Sequence, residues 1–255
     1  MPDTSDPAQT QAGATNSLPL TPGRTYFVVS GDSLAAQQLT ANFDAAPLRL
    51  FGAEGTFLLD SDLLQSTPDD VSEAETLLTS MCGAMRAAGQ PVGLGLSIGG
   101  SWMQEPDGGP LVKSAFARGS ISFGAVVSLS ATVLVNGVPQ PKPRSLAARI
   151  TEWLPTAPDE GRDLHLMMIK GEPDWRDIHV IIEHLQELGY PKKKGVQGEV
   201  DRIRRTASNW HVVGVDARHS KAKSHQPPKN PPSLSESRAF ILDLVRQWFD
   251  ENAPP

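Results

Sequence analysis

The chain has 255 residues, 39% of them hydrophobic, and a formal net charge of −6 at pH 7. That is enough apolar material for one large domain or two small ones with a real core. Its single cysteine, Cys82, rules out an internal disulfide, and no window approaches the roughly 18 to 20 consecutive apolar residues of a membrane-spanning helix. A cytoplasmic protein with no membrane partner is expected.

Residues 1–22 carry Asp, Thr, Gln, Ser and Pro without a basic residue or an apolar run, so they lack the parts of a secretory signal and read as a disordered tail. Arg24 to Ser30 reads as a strand, because aromatic and β-branched side chains suit a pleated surface. Leu48 to Phe51 and Thr56 to Leu59, joined through Gly52 and Gly55, predict a hairpin. Ser72 and Glu75 have capping-box spacing, and Leu77, Leu78, Met81, Cys82 and Met85 then share one stripe of a helix that Gly89 ends. Inside that stripe Cys82 reads as a small core hydrophobe, since nothing near it would lower a thiol pKa. Val92 to Ile98 alternates as a strand, with a Gly-rich loop expected from there through Pro110. Residues 115–135 predict two further strands, with Val127, Leu129, Ala131, Val133 and Val135 on one face and Asn136-Gly137 as the turn. Residues 23–138 thus read as a β-rich α+β domain, and Pro139 to Pro143 as a stiff connector.

A helical module is expected over residues 145–250. Ser145 to Leu154 predicts a short helix that Pro155 and Pro158 end. Asp174 can cap a helix whose buried stripe is Ile178, Ile181, Ile182, Leu185 and Leu188, with Gly189 closing it. Gln197 to Ser208 is a basic helix with only Val200, Ile203 and Ala207 to bury. Ser233 and Glu236 form a second capping box, before a helix with Phe240, Ile241, Leu244, Val245 and Trp248 on its apolar face. The fold class is therefore α+β: an N-terminal antiparallel β-sheet with a packed helix, followed by a C-terminal helical module.

Few patterns carry chemistry. His179 and Glu183 stand at i and i+4, a spacing that can put two metal ligands on one face. They fall on the flank opposite Ile178, Ile181 and Leu185, where exposed polar residues belong, and no third ligand is fixed by spacing. His184 and Glu187 repeat the ambiguity, so neither a metal nor a cofactor is expected. The glycines from Gly93 to Gly100 lack the strand-to-helix context of a dinucleotide fingerprint, and no Gly-Lys-Ser or Gly-Lys-Thr sequence occurs. They read as bulges or close backbone approaches.

The segment after the basic helix is richer. Asp216 and His219 are the catalytic candidates, because histidine titrates near neutrality and an aspartate can orient it. Arg218 beside them suits phosphate or carboxylate. The plainer reading makes the same residues helix caps and anchors between the last helices.

Residues 191–246 also hold 12 Lys or Arg against 5 Asp or Glu, a net +7 that leaves −13 for the rest of the chain. Arg202, Arg204, Arg205, Asn209, Trp210 and Arg218 are accordingly the candidate binding residues. Phosphate contacts from this strip would give salt-sensitive binding to nucleic acid. Only Trp210 offers an interleaved stacking ring, where a single-strand binder usually has several.

Three segments in fixed order carry a resemblance: Thr206-Ala-Ser-Asn209, Asp216-Ala-Arg-His219, and Ser233-Leu-Ser-Glu-Ser-Arg-Ala-Phe-Ile241 ending in Trp248. In them the chain resembles a family of uncharacterised bacterial proteins with a Thr-Ala-Asn helix end, an Ala-Arg-His loop and a Ser-Leu-x-Glu-Ala last helix. The likeness covers about 45 residues and departs from the pattern at the inserted Ser208 and at Arg238. It implies a bacterial cytosolic origin and a C-terminal unit, with no activity attached.

The leading functional expectation is a non-enzymatic binding or accessory protein that recognises a protein partner or a small ligand. A nucleic-acid-binding protein using residues 192–229 is the first alternative, and a hydrolase or nuclease centred on Asp216 and His219 the second.

Overall fold

Phe27 and Val29 turn to one side of the first strand and Tyr26 and Val28 to the other, the two-residue period of a pleated strand buried on both faces. The computed structural model describes residues 20–45, 47–53, 56–66, 70–90, 95–115, 134–135, 138–139, 144–191, 194–218 and 227–255. Among these, β1 (Thr25–Ser30), β2 (Asp44–Ala45), β3 (Leu48–Ala53), β4 (Thr56–Ser61), β5 (Ser97–Gln104) and β6 (Leu111–Ala115) form an antiparallel sheet in the order β2-β3-β4-β1-β5-β6. The expected hairpin is β3 and β4, paired from Leu48 opposite Ser61 to Ala53 opposite Thr56. A two-residue pair, β7 (Leu134–Val135) and β8 (Val138–Pro139), stands apart from the sheet. The rest of the strands expected before it, and the connector to Pro143, lie outside the described residues, as does most of the expected tail.

The loop expected after Ile98 is strand instead. β5 runs on to Gln104 because Gly99 is the extra residue of a β-bulge, between Ile98 opposite Val29 and Gly100 opposite Val28. A Cβ at Gly99 would strike the Ser30 hydroxyl, so a larger residue there would have to push that side chain aside. The bulge turns Ile98 into the inner core while Trp102 joins Tyr26, Phe51 and Leu58 on the opposite face.

α1 (Ser33–Asn42) follows β1, capped by Asp32. α2 (Val71–Ala87) is the expected helix, but its cap is Asp70, whose carboxylate accepts from the amides of Ser72 and Glu73 at 2.9 and 3.2 Å. Ser72 is thereby already inside the first turn, which corrects the expected capping box. Beyond residue 144 come α3 (Leu146–Trp153), α4 (Asp159–Ile169), α5 (Trp175–Glu187), α6 (Lys194–Ala207), α7 (Trp210–Val213) and α8 (Leu234–Asn252). Asp174 and Ser233 cap α5 and α8 as expected, each in a full capping box.

The fold is α+β, with the six-stranded sheet and α2 on the amino-terminal side and helices α3 to α8 on the other. The boundary expected near residue 140 does not divide the core. One buried cluster runs from Phe27, Leu50 and Leu59 through Met81 and Met85 to Ile150, Leu164, Ile178 and Phe249. The reason is the place of α2, which packs on β5 and also on α3, α4 and α8. Two polar ties cross the same line: the Ser145 hydroxyl donates to the Asn42 carbonyl at 2.8 Å, and the Arg86 guanidinium donates to the carbonyls of Met168 and Ile169 at 3.0 and 3.2 Å. The second tie satisfies carbonyls that the end of α4 would otherwise leave unpaired.

Candidate functional site

The turn that follows α6 is held by its own neighbours. Asn209 is buried and accepts from the His211 amide at 2.9 Å, which starts α7, while Trp210 is half-buried beside it. Arg218 donates its backbone N–H to the Ala207 carbonyl at 3.2 Å, and its guanidinium reaches α5, where it contacts both His179 and Glu183. Nε2 of His179 thus lies between the guanidinium and the Glu183 carboxylate, 3.3 Å from its Oε1. Its Nδ1 lies 3.2 Å from the Ser208 hydroxyl, which donates to the Arg204 carbonyl at 2.9 Å. Burial pushes the Glu183 carboxyl up, but the hydrogen bond of Arg218, the neighbouring His179 and the charge of Arg218 outweigh it and leave the carboxyl below its ordinary range. His179 is 3% exposed. The expectation that it lies on an exposed flank is therefore corrected: Ser208 and Arg218 roof that side of α5.

The other candidates fall in different places. Asp216 is exposed at the end of a short 3-10 turn, and Arg218 is directed to α5. His219 lies outside the described residues. Arg202 is bonded to Glu199 and to the Asn230 carbonyl, and Arg204 to Gln186 with Asp201 at 3.7 Å. Arg205 is exposed, with no ion-pair partner among the described residues. Arg202, Arg204 and Arg218 are thus matched to acids, an amide and carbonyls of the molecule itself. No group of three His, Cys, Asp or Glu side chains suited to a metal occurs among the described residues.

A pocket of about 470 Å³ opens instead between α2 and α4. From α2 it is lined by Ser72, Glu75, Thr76, Thr79 and Ser80. Opposite stand Arg162, His165, Leu166 and Ile169 of α4, with Leu154 at one end. Gly83 sets how closely the helices approach, since a Cβ there would come within 2.9 Å of the His165 ring and 2.7 Å of Ile169. His165 is 4% exposed, and its Nε2 lies 3.2 Å from the Ser80 hydroxyl. Its Nδ1 is buried without a hydrogen-bond partner among the described residues. Burial holds its pKa down at about 4, so the ring is neutral at pH 7.

Ser80 and His165 are thus a hydroxyl and a base within hydrogen-bond reach, but no acidic group orients the ring at Nδ1 and its low basicity makes it a poor proton acceptor. A smaller neighbouring cavity of about 120 Å³ is bordered by Cys82, whose thiol burial pushes above its ordinary pKa and so keeps protonated.

Sequence reasoning missed this pocket because α4 was not among the predicted helices. The only signal was its short polar start at Asp159 and Glu160, where acidic residues favour a helix N-terminus. No family model matches the chain, and no curated protein or solved structure is detectably similar to it. No helix among the described residues is long and apolar enough to cross a membrane.

Proposed function

We propose that this chain is a non-enzymatic binding protein of the bacterial cytosol that takes a small ligand in the pocket between α2 and α4. The observation that carries the reading is the pocket itself. Its volume of about 470 Å³ falls in the range of small-molecule sites, and it combines an apolar wall with a row of hydroxyls and a buried histidine whose hydrogen-bonding capacity is only partly used. The bacterial cytosol rests on the resemblance of the C-terminal segments. The ion pairs of Arg202, Arg204 and Arg218 weigh against a nucleic-acid role for the basic strip, and the separate directions of Asp216 and Arg218 weigh against a hydrolase centred there.

A thermal-shift screen of small metabolites against the intact protein and a Thr79→Trp variant tests this. Thr79 is exposed at the pocket wall, so an indole there fills the space without entering the core. Compounds that raise the Tm of the wild type and not of the variant support the reading. Compounds that stabilise both equally, or a screen without hits, overturn it.

A further inference from the structure

The polar wall of the pocket is unusual in what its groups have already given away. The Thr76 hydroxyl donates to the Ser72 carbonyl and the Thr79 hydroxyl to the Glu75 carbonyl, both at 2.8 Å, so each shows the pocket an oxygen with lone pairs to spare. Ser80 is committed to His165. Glu75 lies one turn below Thr79 and has no ion-pair partner among the described residues, so it adds a half-exposed carboxylate to the same wall.

The charges on the pocket wall do not balance. Arg162 is paired with the Asp159 carboxylate and also donates to the Ala157 carbonyl, which leaves the Glu75 charge without a counterpart among the described residues. The amides of Ser72 and Glu73 at the start of α2 are taken by the Asp70 carboxylate. Facing the row of acceptors is an apolar side of Leu154, Leu166 and Ile169, with Leu166 57% exposed.

We infer that the ligand of this pocket is an amphipathic amine, whose ammonium donates to Glu75, Thr76 and Thr79 while its hydrocarbon body lies on Leu154, Leu166 and Ile169. This rests on the reading of the pocket as the binding site. It follows from matching donors to acceptors and cation to carboxylate, because a polar group that enters such a cleft unpaired loses its hydration without replacement. An alkyl carboxylate would place its charge against Glu75 and find on α2 only the exposed Ser72 hydroxyl as an uncommitted donor. An alcohol of the same length would keep the apolar contact and give up the charge.

The test is a titration of the full chain, followed by amide NMR, with hexylamine, hexanoate and hexanol, and repeated on Glu75→Gln. Hexylamine is expected to shift the amides of residues 75–83 and 162–169 and to bind at least about fivefold more tightly than hexanoate, a difference of roughly 1 kcal/mol. Glu75→Gln should remove most of that preference and leave hexanol unchanged. If hexanoate or hexanol binds these residues as well as hexylamine does, the amine assignment falls while the pocket stands. If none of the three moves them, and Thr79→Trp makes no difference to any, the assignment and the pocket reading fail together.

Discussion

Two buried histidines of this protein stand in the same relation to a serine. His165 on α4 lies 3.2 Å from Ser80 of α2, and His179 on α5 lies 3.2 Å from Ser208 at the end of α6. Their other nitrogens differ. Nε2 of His179 lies against both Arg218 and Glu183, and its serine donates to a backbone carbonyl. The Nδ1 of His165 has no such partner, and its ring borders an open cavity. The same pair of residue types is a brace in one place and a pocket wall in the other, and the unused capacity separates the two. Residue type alone, the only thing a sequence displays, does not.

Acid gives the largest way to break the comparison. Above pH 6.5 His165 is neutral in both folded and unfolded chains. Below that the unfolded chain gains a proton which the native ring refuses until about pH 4, so stability is lost across this window and the loss levels off beneath it. The gap corresponds to roughly 3 kcal/mol. Urea unfolding of wild type and His165→Leu between pH 7 and 4 checks it: the variant should show a correspondingly flatter profile, and parallel profiles would remove the burial argument.

Next is the approach of α2 to α4. Gly83→Ala puts a methyl against His165 and Ile169 and is expected to destabilise by about 1 to 3 kcal/mol, seen as a lower urea midpoint with the same slope. Unchanged stability would mean that the helices separate freely.

On the brace side the effects are smaller. Arg218→Ala removes the guanidinium that contacts His179 and Glu183 and is expected to cost about 1 kcal/mol, since the guanidinium itself is partly exposed. A double-mutant cycle with Glu183→Gln should give a coupling below that figure. Smallest is Arg205→Ala, which should change stability by less than about 0.5 kcal/mol. The same variant should leave retention on heparin at 50 mM salt unaltered if the basic strip is a solvated surface, and a clear loss of retention would restore the nucleic-acid reading.

The fold class was legible because it depends on local rules. Asp174 and Ser233 announce their helices by capping chemistry, and the alternation in β1 and the β3–β4 hairpin needs only neighbouring residues. What was hidden depends on distant partners. α1 carries alanines and glutamines with little apolar contrast, and β5 looked like a loop until the bulge at Gly99 explained its glycines. The pocket was illegible for the same reason: Ser80 and His165 are 85 positions apart, and only the packing of α2 on α4 brings them together. Conversely, the segment around Asn209 and Arg218 was conspicuous because it concentrates polar residues in sequence, yet in space Asn209 caps a helix and Arg218 clamps α5.

The Arg86 guanidinium that grips the last carbonyls of α4 bears on how the cleft works. Its anchor is α2 itself, so the two walls are pinned at one end by a charged clasp and at the middle by the absence of a side chain at Gly83. The width of the cleft is consequently set before any guest arrives. A ligand of the kind proposed above would then be selected by shape rather than by closure, with little ordering entropy to lose on entry.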